Sequence, residues 1–191
     1  VPIKWAHVSG VNYNTIGDAG VDFLQEISND VRFRVMTTIN PMGFDRNKSN
    51  TLSGNFLSKQ MQIVNSYEKM GAIQSFSCTP YEIFQTPKKG TPVSFAESSA
   101  AVFSNSFLGL MTNRESALSA LASAITGKSP LSDLRIEQSR IPRIALKCSG
   151  VVISNETDYG LLGYIGGKIA KDNCIAFSDL NSEMDMMPAK A

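Results

Sequence analysis

The chain has 191 residues, 42% hydrophobic and 18% charged, and its 18 Lys plus Arg nearly balance its 17 Asp plus Glu for a net charge of +1. Such a length can bury a sizeable core, while the charge balance excludes the broad basic face of a nucleic-acid or anionic-membrane binder. No uncharged apolar run approaches the roughly 18 to 20 residues that span a bilayer, and Val1-Pro2-Ile3-Lys4 lacks a secretory pattern, so a soluble, cytoplasmic chain without nucleic-acid or membrane partners is expected.

Helical and extended patterns alternate along the chain. Val21, Phe23, Leu24 and Ile27 recur at helical spacing within Gly17 to Ser28, and Val31 to Val35 alternates with the period of a strand. Asn40-Pro41-Met42-Gly43 closes that strand with turn residues, and a polar loop runs to about Gly54. Phe56, Leu57, Gln60, Met61, Val64, Tyr67 and Met70 line one helical face, with Gly71 at the place of a left-handed C-terminal cap. A short extended segment, Ala72 to Ser77, leads into Cys78-Thr79-Pro80-Tyr81, and Pro87 to Gly90 forms a turn.

Glu97 to Leu110 is small, apolar and Ser-rich, and Ser116 to Ile125 reads as an Ala- and Leu-rich helix ended by Gly127. Arg143 to Cys148 and Val151 to Ser154 read as extended, Thr157 to Lys171 as helical and Cys174 to Phe177 as a last strand. This alternation predicts an α/β layered domain with helices packed on a mostly parallel sheet. With no repeat or linker in view, residues 1–191 read as one partial domain whose boundary after about residue 180 is open.

Several features carry chemistry, each with a plainer reading beside it. The single histidine, His7, excludes a zinc site with two or more His and leaves at most one imidazole acid or base. Gly160, Gly163, Gly166 and Gly167 lie inside a helical pattern without the spacing of a dinucleotide fingerprint, so close helix packing accounts for them better. Cys78 ends a predicted strand, where α/β sites gather; it reads either as an iron-binding thiolate or as a small buried hydrophobe. Together with Cys148 and Cys174 it is too sparse for a disulfide framework, and a cluster held by all three is disfavoured because Cys148 lies within an apolar strand. If Glu97 to Glu115 were helical, Ser98, Asn105 and Thr112 would share a face that ends at the guanidinium of Arg114. That face reads either as a ligand surface or as a solvated face with caps.

These segments together resemble the large subunit of the aconitase X family. The matching pieces run in order from Ala6-His7-Val8-Ser9-Gly10-Val11-Asn12-Tyr13 and Thr15-Ile16-Gly17-Asp18-Ala19-Gly20 through Thr37-Thr38-Ile39-Asn40-Pro41 with Gly43 and Asp45. They continue with Lys59-Gln60, Tyr67, Met70-Gly71, Cys78-Thr79-Pro80-Tyr81, Ala96-Glu97-Ser98-Ser99-Ala100 and Asn105-Ser106. Leu108-Gly109, Thr112-Asn113-Arg114-Glu115 and Ala124-Ile125-Thr126-Gly127 with Pro130 complete the series, and the resemblance extends to about Gly167.

The resemblance implies an aconitase-like fold and dehydration of a β-hydroxy acid at an iron-sulfur cluster or mononuclear iron. Within the family, the Thr-Ile-Gly-Asp-Ala-Gly, Ser-Ser and Thr-Asn-Arg-Glu versions resemble the phosphomevalonate branch more than the cis-3-hydroxyproline branch. By resemblance, Cys78 is one ligand of the centre, and Glu97, Ser98, Asn105, Asn113 and Arg114 line the substrate pocket with Ser9, Tyr13, Asn40 and Asp45. The other ligands and the base are implied to lie outside this chain, on the remaining half of the large subunit and on the small subunit. The expectation is therefore a fragment or split subunit, inactive alone, whose partner molecule is a small anionic hydroxy acid.

Two departures stand out. Met111 occupies the place of a family arginine, and Ser116-Ala117 replaces paired glycines. An anion contact is thereby expected to be missing, which keeps open a non-catalytic scaffold that retains the fold.

Overall fold

A computed structural model describes residues 1–45, 47, 52–171 and 173–182. The chain divides into two compact units, Val1–Leu131 and Ser132–Ala191. The sequence reads as a single domain because no long linker interrupts it; the division lies in which residues pack together, which composition does not record.

The first unit is built on a parallel sheet of β1 (Trp5–Val8), β2 (Met36–Ile39) and β3 (Ser94–Phe95), in the order β2-β1-β3. Parallel bridges extend it at both margins, Thr38 with Ile73 beyond β2, and Pro92 with Met111 and Phe95 with Arg114 beyond β3. In chain order the five extended segments therefore lie third, second, first, fourth, fifth. The direction of travel reverses beside β1, and outside the C-terminal ends of strands at such a reversal a crevice opens between loops that leave for opposite faces.

The helices cover both faces. Val8 and Ile39 of the sheet pack with Val21 and Leu24 of α1 (Tyr13–Ser28), Ile63 and Tyr67 of α2 (Gly54–Met70) and Ala120 and Leu121 of α5 (Ala117–Thr126). On the other face Trp5 and Phe95 pack with Tyr81 of α3 (Pro80–Ile83) and Ala100, Ala101 and Phe103 of α4 (Ser98–Ser106). The Trp5 and Phe95 rings meet edge to face, with centroids 5.1 Å apart.

The mixed helix and parallel-sheet architecture is the one the alternation predicts, but its central strand escapes the pattern. Trp5–Val8 is buried at every residue, so it carries no alternation to detect. Val31 to Val35 does alternate, yet it lies outside the ladder. It is an extended connection whose Phe33 N–H donates to the Met70 carbonyl and Arg34 N–H to the Ala124 carbonyl. The strand proper begins only at Met36.

Helix α1 starts four residues earlier than predicted, with Asn12 capping the Asn14 N–H, and kinks at Gly17, whose φ of 59° a side-chain-bearing residue resists. Helix α4 ends at Ser106, so Thr112 is not on it and the predicted seven-residue face does not exist.

The second unit pairs β4 (Ile144–Lys147) with β6 (Ile175–Ser178) and β5 (Val152–Ile153) with β7 (Asn181–Ser182), both in parallel. Between them α6 (Glu156–Ala170) opens with a capping box between Asn155 and Asp158. All four glycines of the candidate motif are inside this helix. Close packing explains only Gly166, where a Cβ would meet the Phe177 ring at 2.7 Å; nothing lies within 4 Å of one at Gly160, Gly163 or Gly167. Leu161, Tyr164, Ile165 and Ile169 form an exposed apolar stripe along α6. Among the described residues, no helix is long and apolar enough to cross a membrane.

Candidate active-site edge of the parallel sheet

The parallel register brings the ends of successive segments to one edge. Asn40 follows β2 and is stapled to β1, its N–H donating to the Val8 carbonyl and its own carbonyl accepting from Val11 N–H. The segment that ends in Cys78 is stapled to β2 in turn, because Phe76 N–H and the Ser75 hydroxyl both donate to the Ile39 carbonyl. Ala96 N–H donates to the His7 carbonyl and Glu115 N–H to the Phe95 carbonyl. Ser9, Asn40, Cys78, Glu97 and Arg114 thus reach the same edge from five different segments.

The contact at the centre of this edge is made by Asn40. Its Nδ2 lies 3.2 Å from Cys78 Sγ and 3.1 Å from Glu97 Oε2. One carboxamide therefore links a thiol and a carboxylate that are 19 residues apart in the chain. Asn40 itself is 6% exposed, while Cys78 is exposed and Glu97 half-buried. A buried, backbone-anchored donor can hold the thiol and the carboxylate in place without moving itself.

Other residues named from the sequence flank this contact. Ser98 is exposed at the first turn of α4, Asn113 is half-buried, and Arg114 is exposed beside Phe95. Asn105 has a different task. Its Nδ2 donates to the carbonyls of Ala101 and Thr112, both at 2.8 Å, and its Oδ1 accepts from Thr112 N–H at 3.2 Å. It clamps α4 to the outer segment of the sheet, and its amide is turned to backbone.

Tyr13 and Asp45 are engaged locally. The Tyr13 hydroxyl donates to Asp18 Oδ1 at 3.2 Å, and Asp18 accepts an ion pair from Lys59 at 2.7 Å. The Lys59 ammonium holds the Asp18 carboxyl below its ordinary range, and Asp18 raises the Lys59 ammonium in return. Asp45 is exposed and accepts the N–H of Asn47 at 2.9 Å. A cavity of about 440 Å³ lined by Tyr13, Asn14, Gly43, Leu52, Ser53, Asn55 and Phe56 lies on this side.

Three residues that hold or border the edge were not among the candidates. Gln60 is fully buried, its Oε1 accepting Tyr13 N–H and its Nε2 donating to the Val11 carbonyl, so it fixes the loop after β1. His7 is also fully buried, its Nδ1 2.8 Å from Thr38 Oγ1, which Trp5 Nε1 also approaches at 2.9 Å. Burial holds its imidazole down at about 4. Tyr81 lies three residues beyond Cys78, and burial, then the charges of Glu82, Cys78 and Glu97, push its phenol up to about 12.

Met111 lies at the opposite end of the sheet. It is level with Pro92, which in turn accepts the Lys4 N–H at 3.1 Å. Met111 precedes Arg114 by three residues in the same segment, about 10 Å of strand at about 3.3 Å each, so the expected loss of an anion contact at this edge does not follow from Met111.

As for a metal centre, no group of three His, Cys, Asp or Glu able to hold an ion forms among the described residues. Cys148 is buried with Sγ 3.7 Å from the Leu146 carbonyl, and Cys174 donates to the Ser139 carbonyl at 3.5 Å. Cys78 alone presents an exposed thiol. The donor set fits one thiolate ligand from this chain. A cavity of about 500 Å³ in the second unit, walled by Asp133, Arg143 and Cys174 among others, contains none of the edge residues.

Residues 1–138 match the family model of the aconitase X first domain. The chain belongs to the aconitase X family. Crystalline Thermococcus kodakaraensis aconitase X in its holo-form matches the whole chain with a TM-score of 0.83 and 37% identity, over 47% of that chain. The phosphomevalonate dehydratase large subunit of Methanocaldococcus jannaschii is 40% identical over 187 residues, 94% of this chain and 46% of its own length. The cis-3-hydroxy-L-proline dehydratase of Pseudomonas aeruginosa is 27% identical over 183 residues, 94% of this chain and 31% of that protein. This aconitase X chain therefore spans about half the length of the large subunits that it matches.

Proposed function

We propose that this chain contributes one wall of the active site of a hydro-lyase that converts (R)-5-phosphomevalonate to trans-anhydromevalonate 5-phosphate in isoprenoid synthesis. The carrying observation is the Asn40 carboxamide that joins Cys78 to Glu97 at 3.2 and 3.1 Å, in a chain whose fold matches a solved aconitase X. The phosphomevalonate branch is favoured over hydroxyproline dehydration by 40% against 27% identity.

The reaction removes an α-proton and a β-hydroxyl, forming a carbon–carbon double bond and water. Because hydroxide is a poor leaving group, an iron-sulfur cluster or mononuclear iron, when bound, supplies Lewis acidity to the departing hydroxyl. The Thermococcus relative was crystallised in its holo-form, which fits a bound cofactor, and Cys78 would hold it as a thiolate, with the remaining ligands outside this chain. Asn40 fixes the thiol and the Glu97 carboxylate at the sheet edge. Arg114 offers a guanidinium matched to carboxylate or phosphate, and Ser9, Ser98 and Asn113 supply polar groups beside it. Tyr13 and Asp45 are proposed to reach the substrate from the α1 side, and Asn105 positions Asn113 and Arg114 through its clamp.

The small subunit and the rest of the large subunit are the proposed partners, with the base on one of them. The exposed stripe of Leu161, Tyr164, Ile165 and Ile169 is apolar surface suited to such an association. A phosphorylated substrate, charged and confined by membranes, makes the cytoplasm the proposed compartment. The scaffold alternative loses the support of Met111, which lies at the far end of the sheet.

The test is reconstitution with both partners under anaerobic iron and sulfide. Dehydration of 5-phosphomevalonate, absent with cis-3-hydroxyproline and abolished together with the cofactor spectrum by Cys78→Ala, is expected. A loaded but inactive complex would refute the substrate, and an unchanged spectrum in Cys78→Ala would refute the ligand role.

A further inference from the structure

We propose that the phenol hydroxyl of Tyr81 is a substrate-binding group of this edge, donating a hydrogen bond to an oxygen of the bound hydroxy acid. The inference rests on the functional reading above and adds a contact that neither the resemblance nor the sequence assigned.

Tyr81 is the second residue of α3 and follows Cys78 by three positions. Its ring stacks on Phe103 of α4 with centroids 4.7 Å apart and planes 22° from parallel, and Phe103 stacks in turn on Phe107 at 5.1 Å. The ring is thereby locked against the helix that begins beside Glu97. Its hydroxyl is shielded from solvent and has no hydrogen-bond partner among the described residues. A buried tyrosine hydroxyl ordinarily finds one, and leaving it unmade costs about 1–3 kcal/mol.

Three other side-chain atoms of this unit, His7 Nε2, Ser94 Oγ and Ser104 Oγ, are also buried without a partner among the described residues. Those residues are 0% exposed, whereas Tyr81 keeps 9%. Tyr81 follows Cys78 by three residues and stacks on the helix whose N-cap is Glu97, so its ring stands beside the pair that Asn40 joins. Its hydroxyl is thus an unmet donor on a ring beside that pair, and as a phenol at neutral pH it is protonated and able to donate. A carboxylate or hydroxyl oxygen of a hydroxy acid is the acceptor that it lacks.

Tyr81→Phe keeps the ring stack and deletes only the oxygen, so the variant separates ligand binding from folding. Its melting temperature without ligand is expected to equal or exceed that of wild type, since no intramolecular bond is lost. In the complex with both partner subunits, its affinity for 5-phosphomevalonate is expected to fall about tenfold to a hundredfold, the range for a hydrogen bond to a charged acceptor. A lower unliganded melting temperature would overturn the proposal by showing the hydroxyl bonded within the fold. Unchanged affinity beside a binding-competent wild type would overturn it alone, leaving the functional reading intact. If the wild-type complex itself does not bind 5-phosphomevalonate, the functional reading fails and this contact falls with it.

Discussion

Asn40 Nδ2 donates to Cys78 Sγ across 3.2 Å, from a loop after β2 to a segment stapled onto that strand's end. The same nitrogen reaches Glu97 Oε2 at 3.1 Å, so both groups depend on one buried amide. Asn40→Ala should cost about 1–3 kcal/mol of unfolding free energy in urea titrations, since the buried amide and both of its hydrogen bonds disappear. Asn40→Asp should cost more, because it places a carboxylate beside Glu97. The gap between the two variants should narrow once acid neutralises the introduced group. Equal stability of both variants at neutral pH would contradict the bridge.

His7 makes stability depend on pH in a definite direction. Its folded value of about 4 lies below the unfolded 6.5, so between these values the unfolded chain takes up a proton that the folded chain refuses. The stability contributed by neutral His7 is complete above about pH 6.5 and is lost as pH falls toward 4. The change from pH 6.5 to 5 is about 2 kcal/mol. His7→Gln should flatten the urea-unfolding curve of stability against pH over this window, whatever the surface carboxylates add.

Asn105 is predicted to act on structure before substrate. With its amide clamped on Ala101 and Thr112 at 2.8 Å each, Asn105→Ala should lower stability by about 1–3 kcal/mol. Hydrogen exchange at Thr112 should rise with it, because Thr112 N–H loses its acceptor. A variant with wild-type stability and exchange but a higher KM would instead make Asn105 a direct ligand contact.

Met111→Arg tests the register. Since Met111 pairs with Pro92 and not with the site edge, the added guanidinium should leave the affinity of the assembled complex for 5-phosphomevalonate unchanged. A clear gain in affinity would mean that the substrate reaches the other end of the sheet.

The helices were the most legible part of the fold in the sequence. Ser53 and Gly71 cap α2, and Ser116 and Gly127 cap α5, because caps and amphipathic spacing are local and each residue declares its role to its neighbours. Strands were less legible: the central Trp5–Val8 is buried on both faces, which erases the alternation that a half-buried strand shows. The stretch that does alternate, Val31 to Val35, is a connection.

For the site, the residue types and the order of motifs were enough to indicate the aconitase X family and to single out Cys78, Asn40 and Glu97. The sequence alone did not determine that these three touch, that Asn105 clamps backbone, that Met111 lies far from the edge, or that Tyr81 carries an unmet hydroxyl. Those facts depend on the register of a parallel sheet whose neighbouring strands come from distant parts of the chain. Cross-strand distance is set by hydrogen bonding between segments tens of residues apart, and no local pattern encodes it.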